Sequence, residues 1–473
     1  MKSLISIWKN TSIQIKASIV FLIATLLTKG MTFITTPIFT RIMSENDMGI
    51  IGTYNSWKGI YEILATIALV NGGVFNVGMS KHQENRNEYV SSILWLCIIT
   101  ASLSGILLIS IYPYIKGIIQ IPQSLIVLMI MQTILIPGQT FWLAKQRYEF
   151  KYRAAFIVSI ANSVIGQLIA IIAIFIADKN LSVIRLWVEN FPTLVVGFVL
   201  SVILTCKGKK ICDRDIWKNE SIFAITLIPH YLASIVLTSS DRIMVANLDS
   251  LSNAGIYTVV YGVATIGTIV WSAIQSSLTP TIYEKLNSNT LDGIDKLANN
   301  IVLIFGIISI LISLLGPEVI TIMGPKSYSS GAYAIPPIVG AIFISCLYNL
   351  FSMIEFYHNK GLFITFASII AGILNIVLNL LFIPRFGYVA AGYTTLASYC
   401  VLSILHYVNM KRIEKRKIYN NRNLFIICSI VLVVCIFTSF LYKYIVLRYL
   451  IIVILFITMI YKRKIIREVL MKK

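Results

Sequence analysis

Fourteen apolar runs, each close to the length of a membrane-crossing helix, decide most of what this chain can fold into. A bilayer core takes about 20 predominantly apolar helical residues. Segments of that kind occur at roughly 15–38, 50–73, 90–112, 122–143, 155–177, 186–206, 221–244, 256–279, 298–316, 333–356, 362–383, 389–409, 424–441 and 446–461. Little lies between them, so no large soluble domain can be fitted in. With 57% of its residues hydrophobic and 13% charged, the chain cannot clothe a water-facing surface. The expected fold is an all-α polytopic membrane protein with about 14 transmembrane helices.

The net charge of +20 raises the question of nucleic acid, but the charges sit in short runs between apolar segments, so nucleic acid is not an expected partner. Cytoplasmic loops carry the excess of Lys and Arg. Counted from the N-terminus, one alternate set of loops holds 29 basic residues and the other 9, which places both termini in the cytoplasm. The longest external loop is then about Pro317–Ala332. Met1–Lys16 is basic, and no small-residue cleavage site follows it, so no cleavable leader is expected. Five of the seven cysteines fall inside apolar runs and read as small hydrophobes. Cys206 and Cys212 flank a basic run with no histidine or second pair nearby, so no metal site is expected.

A short pattern recurs. Arg41-Ile42-Met43 closes span one and Gly49-Ile50 opens span two; Arg242-Ile243-Met244 closes span seven and Gly255-Ile256 opens span eight. The offsets are 201 and 206 residues. Six spans separate the copies, an even number, so both halves enter the membrane from the same side. That is a parallel repeat about an axis along the membrane normal, a plan common among secondary transporters. The expected division is 1–206 for spans one to six, 221–410 for spans seven to twelve, and 424–461 for two trailing spans.

Charged groups in hydrocarbon cost about 2.5–3.5 kcal/mol each on insertion scales, so they usually face a cavity or a partner. Span one carries Thr25, Lys29, Thr32 and Thr36 on one helical face, and span two carries Lys58, Glu62 and Thr66. Span seven has His230, Thr238 and Asp241-Arg242; span eight has Tyr257, Tyr261 and Gln275; span ten ends on Glu355. Such stripes let several helices line a wet cavity. Plainer readings stand beside this one. Threonines can bond to their own helix backbone, Lys58 and Glu62 can neutralise each other, and His230 can pack beside Pro229. Arg41 and Asp241-Arg242 sit at span ends, where solvated caps suffice. Arg185 and Glu189, four apart, read as a local ion pair. Lys29 has no acidic neighbour in its own helix, so either Glu62 or an anionic ligand should satisfy it.

Pro37-Ile38-Phe39-Thr40-Arg41-Ile42-Met43-Ser44-Glu45-Asn46-Asp47-Met48-Gly49 resembles the first loop of bacterial polysaccharide transport proteins. Ser240-Asp241-Arg242-Ile243-Met244, followed by Asn253-Ala254-Gly255-Ile256-Tyr257, resembles the motif opening their second half. The basic loop Lys145–Arg153 after span four also fits. Over spans one to twelve the chain resembles a Wzx-type flippase of the multidrug/oligosaccharidyl-lipid/polysaccharide exporter superfamily. The resemblance implies two six-helix lobes around a central cavity plus two C-terminal helices, in a bacterial cytoplasmic (inner) membrane. It implies movement of undecaprenyl-diphosphate-linked sugar units to the outer leaflet by alternating access, for O-antigen, capsule or exopolysaccharide assembly. Its partners would be that glycan and membrane lipid, with polymerase and chain-length proteins of the same pathway as candidates.

A diphosphate with its sugars is bulky and anionic, which suits Lys29 and Lys58 for the charge and Tyr257, Tyr261 and Gln275 for the sugars. Glu62 and His230 are the coupling candidates, and Arg41, Asp241, Arg242 and Glu355 the motif or gating residues. No catalytic residue or cofactor is expected. No ATP motif is present, so an H+ or Na+ gradient, or consumption of the product, would drive transport. The competing readings are a lipid II flippase, a cation-coupled drug antiporter of the same superfamily, and, from a different class, a membrane glycosyltransferase or polymerase.

Overall fold

The structure is a computed structural model that describes residues 13–461. The two terminal basic segments, and with them the expectation about the termini, lie outside the described residues. Sixteen α-helices and one 3-10 helix, with no strand, follow in order among those residues. They are α1 (Ile13–Ile42), α2 (Glu45–Ala65), α3 (Gly72–Lys81), α4 (Arg86–Ile119), α5 (Gln123–Tyr148), α6 (Tyr152–Ile176), α7 (Leu181–Gly208), α8 (Arg214–Leu248), α9 (Leu251–Asn287), α10 (Ile294–Leu314), α11 (Gly316–Met323), α12 (Ile335–Tyr357), α13 (Gly361–Phe386), α14 (Tyr388–Ile413), α15 (Asn421–Leu441) and α16 (Ile445–Tyr461). The 3-10 helix, Lys326–Ala334, precedes α12.

Eleven helices, α4–α10 and α12–α15, are long and apolar enough to cross a membrane. The protein is a multi-pass membrane protein. Interior prolines in α1, α5, α7, α8 and α9 each remove a helix hydrogen bond, which membrane helices tolerate when neighbouring groups satisfy the freed carbonyls.

Two expectations are corrected in detail. Span two is not one helix: it stops at Ala65, and α3 begins at Gly72 after six intervening residues. Ile67 and Ala68 between them take left-handed φ values of 50° and 57°. A β-branched residue there is a true outlier, with strain of about 1–3 kcal/mol held by its surroundings. The segment expected as a long external loop is α11 plus the 3-10 helix. It is tied down by Glu318, which accepts hydrogen bonds from Arg448 and, at 2.9 Å, from the Tyr449 hydroxyl.

The chain divides into two compact units, 1–235 and 236–473. In the first, a core centred on Phe75 packs α3 against α4 and α5, with the Phe75 and Phe141 rings stacked at 4.9 Å. Helices α5 and α7 cross at Gly138 and Gly197, where a Cβ on Gly197 would stand 2.5 Å from the Leu135 carbonyl oxygen. Backbone contact that close is the small-residue packing of membrane helices. In the second unit, α12 is buried along almost its whole length, with α14 against it.

Each unit opens with the same corner. Ser44 caps α2 by accepting from the Asp47 backbone N–H at 3.1 Å, and Ser250 caps α9 by accepting from that of Asn253 at 3.1 Å. A carboxylate of the corner then reaches the start of the unit's sixth span. Asp47 accepts from the Ser182 N–H of α7 at 3.3 Å, and Asp249 from the Tyr388 N–H of α14 at 3.0 Å. Unpaired amides at a helix start, with the positive end of its dipole, favour a carboxylate there.

Candidate functional site

In the first unit, the stripe on α1 divides. Lys29 and Thr32 are exposed, while Thr25 and Thr36 are half-buried and donate to the Phe21 and Thr32 carbonyls of their own helix. Lys29 forms no ion pair among the described residues, so Glu62 does not satisfy it. Nor do Lys58 and Glu62 form a direct pair; the carboxylates of Glu62 and Glu189 act on Lys58 from farther away. Glu62 stands one turn before the break in α2, and the Thr66 hydroxyl closes that turn on the Glu62 carbonyl at 2.7 Å. Broken helices of this kind line polar paths in transporters.

Beside Lys58 lies a network the stripes did not reveal. Thr35 of α1 donates to Gln167 Oε1 of α6 at 2.8 Å, and Gln167 Nε2 donates to Glu189 Oε1 of α7 at 2.8 Å. Glu189 also holds Arg185 at 3.3 Å, as the four-residue spacing indicated. Arg185 is buried, with its guanidinium 3.6 Å above the Phe39 ring. Arg41, by contrast, is exposed and donates to the Pro37 carbonyl. His230 is half-buried, its ring 5.5 Å from that of Tyr231. Its Nδ1 is buried with no hydrogen-bond partner.

In the second unit, Asp241 is not the solvated cap its position suggested. It is 1% exposed and accepts three hydrogen bonds: from Tyr257 Oη at 2.7 Å, Thr395 Oγ1 at 2.6 Å and Asn379 Nδ2 at 2.7 Å. A second layer locks these donors. Asn375 donates to Thr395 and accepts from Ser240 and Asn379, and Thr394 donates to Asn379. Four helices thereby converge on one buried carboxylate whose direct hydrogen-bond partners are all neutral. The Arg242 guanidinium stays outside this cage, half-buried, 4.2 Å above the Tyr261 ring.

Tyr257 is fully buried with its hydroxyl spent on Asp241, and Tyr261 is covered by Arg242, so in this conformation neither offers a free ring face. The physical reason is their place in the first turns of α9, inside the helix packing. Gln275, farther along, is half-buried. Glu355 is completely buried, and its partner is His406 Nδ1 at 2.6 Å, with Asn409 Nδ2 at 2.7 Å on the other oxygen. His406 stacks on Tyr348 at 5.4 Å.

The structure thus brings Asp241, Arg242, Tyr257 and Tyr261 together, while Glu355 pairs with His406 and Asn409. The missed residues, Gln167, Asn375, Asn379, Thr395 and His406, share one legible signal: each is polar inside an apolar span.

A family model described as "Polysaccharide biosynthesis protein" matches residues 15–285. A curated relative, the succinoglycan biosynthesis transport protein ExoT of Rhizobium meliloti (strain 1021), is 22% identical over 271 residues, covering 55% of this chain and 52% of that protein. The chain therefore matches about half the length of that relative. Among solved structures, lipid II flippase MurJ in an inward closed conformation superposes with a TM-score of 0.68 at 14% identity, covering 95% of this chain and all of the other. An inward-facing multidrug resistance MATE family transporter of the MOP superfamily gives 0.58 at 12% identity, over 84% and 99%. At these identities the likeness shows the fold. With the family model covering more than half of its length, the chain belongs to the polysaccharide biosynthesis protein family, on the fold of the MOP-superfamily transporters.

Proposed function

We propose that the protein is a flippase that carries undecaprenyl-diphosphate-linked oligosaccharide units from the cytoplasmic to the outer leaflet for surface polysaccharide assembly. One observation supports this above the rest. A member of a polysaccharide family is built almost wholly of membrane helices, and the longest connection between described helices, residues 414–420, has seven residues. Such a chain can move a glycan, and among the described residues no connection is long enough to form a loop domain that would make one.

In this reading both termini are cytoplasmic, and the two lobes, 1–206 and 221–410, alternate in access. Lys29 and Lys58 attract the diphosphate, because a charge-assisted contact is stronger than a neutral one where water is scarce. Gln275 contacts the sugars, and Tyr257 and Tyr261 support that surface from behind. Arg41, Arg242 and Glu355 serve at the gates. A proton or sodium gradient drives the cycle through Glu62 and His230, and the Asp241 cage is a third group able to hold the coupling charge.

The test is to delete the gene and locate the lipid-linked repeat units with a membrane-impermeant glycan label. The units should accumulate facing the cytoplasm and reappear outside when the wild-type protein is restored. The Lys29→Ala/Lys58→Ala variant should restore export poorly at equal protein level. Units reaching the outer leaflet normally in the deletion strain would refute the flippase.

A further inference from the structure

The second unit holds two adjoining cavities of opposite character. One, of about 500 Å3, lies among α12, α14 and α15 and has apolar walls that include Leu347, Phe351, Ile404, Tyr407, Leu424 and Leu432. The other, of about 590 Å3, is formed by the connection from α14 to α15 and is strongly basic. Asn421 and Arg422 line both, so the polar chamber is the mouth of the apolar one.

The charge at this mouth is unbalanced. Its lining contains one carboxylate, Glu414, and five cations, Lys411, Lys415, Arg416, Lys417 and Arg422. Arg416 is committed to Glu414 through Nε at 2.8 Å and a terminal nitrogen at 2.6 Å, and His358 approaches the same carboxylate at 3.3 Å. That pair cancels. Lys411, Lys415, Lys417 and Arg422 remain, and none of the four forms an ion pair among the described residues. The Lys411 ammonium is placed 5.3 Å above the Tyr407 ring, a wall of the apolar cavity. The first turn of α15 carries no acidic residue, so its dipole adds to the same field.

We propose that this double cavity binds an anionic glycerophospholipid, with its phosphate among Lys411, Lys415, Lys417 and Arg422 and an acyl chain between α12, α14 and α15. A free phosphate would leave the apolar chamber unused, and a neutral lipid would leave four cations unanswered. Basic pockets between membrane helices recognise anionic headgroups on these terms, at a gain of about fivefold in affinity per cation near the surface.

The test is native mass spectrometry of the full-length protein taken from nanodiscs of equal parts phosphatidylglycerol and phosphatidylcholine. Wild type should retain phosphatidylglycerol several-fold over phosphatidylcholine. The Lys415→Gln/Arg422→Gln variant should lose that preference by more than tenfold, following the per-cation factor. Cys428→Phe, which fills the apolar chamber and keeps every charge, should also lose retention. Both variants should match wild-type thermal stability in phosphatidylcholine alone, which separates loss of the site from misfolding. Equal retention of the two lipids by wild type, or undiminished retention in Cys428→Phe, would overturn the proposal. Displacement of the lipid by soluble glycerol phosphate would reassign the mouth to free phosphates, and preferential displacement by farnesyl diphosphate would reassign it to prenyl carriers; either result overturns it.

Discussion

The corner from α1 to α2 and the corner from α8 to α9 are built alike and filled differently. Both carry Arg-Ile-Met late in their first helix, at the very end of α1 and one turn before the end of α8. Both open the second under a serine cap and send a carboxylate to the start of the unit's sixth span. Beside the arginine, the first corner has Thr40 where the second has Asp241. Thr40 is satisfied by the Thr36 carbonyl of its own helix at 3.1 Å, whereas Asp241 draws in donors from three other helices. The two corners therefore share a serine cap and a carboxylate tie, which any such helix pair can use, while the carboxylate at 241 makes the second the hub of a network.

The largest effect should come from breaking that hub. Asp241→Ala leaves three buried donors without an acceptor, at about 1–3 kcal/mol each, so the unfolding midpoint in detergent should fall by the largest margin of any single substitution considered. Thr40→Ala should cost about 1 kcal/mol or less. Equal midpoints for the two variants would mean that the corners do not differ in energy.

A second contrast sets the helix crossings of the units side by side. Gly197→Ala would drive its Cβ to 2.5 Å from a backbone oxygen and should destabilise by about 1–3 kcal/mol. Gly340 of α12 meets only side chains, none nearer than 3.5 Å, so Gly340→Ala should be neutral or stabilising by up to about 1 kcal/mol. Thermal melts of the two variants decide it; a loss at Gly340 comparable to that at Gly197 would show that both units pack backbone to backbone.

The shared element should respond equally. Ser44→Ala and Ser250→Ala each remove one cap bond, worth about 1 kcal/mol, and hydrogen exchange should quicken in the first turn of α2 or α9 alone. Unequal losses would indicate that one corner is held by something other than its cap.

The smallest effect concerns pH at two loops outside the spans. Lys210, with the Ile216 N–H, holds Asp213 below the usual carboxylate range, and the Arg416 side chain holds Glu414 at about 2. A depressed folded-state value stabilises above the unfolded value near 4.5 and is lost as pH falls through the folded one. Residues 414–420 should therefore keep their protection from proteolysis from neutral pH to about pH 4. Glu414→Gln should expose them throughout that range. Cleavage of the wild-type loop already at pH 5 would show that Arg416 does not clamp it.

Much of this was legible in the chain. Apart from the break in span two, the expected spans fall on helices, because a run of apolar residues has no other way to satisfy its backbone in lipid. The Arg185–Glu189 pair followed from four-residue spacing, and the repeat from Arg-Ile-Met. What stayed hidden depends on residues distant in sequence. Asp241 reads as a surface cap until Asn379 and Thr395 arrive, 138 and 154 residues later. Glu355 reads as a lone gate until His406 meets it 51 residues on.

The sequence by itself determined that the chain is a membrane protein built of apolar helices and where the Arg-Ile-Met pattern recurs, because hydrophobicity acts within one segment. It led to an expectation of about 14 spans, where eleven of the described helices are long and apolar enough to cross. Only the tertiary structure decided that span two breaks at Ile67 and Ala68, that Lys58 and Glu62 do not pair, and that an apolar chamber opens beneath the cations of residues 411–422. Those outcomes depend on which helix faces which. In a chain with so many apolar helices, almost every face could pack against several others, and the few buried polar groups decide among them by the high cost of leaving any one unpaired.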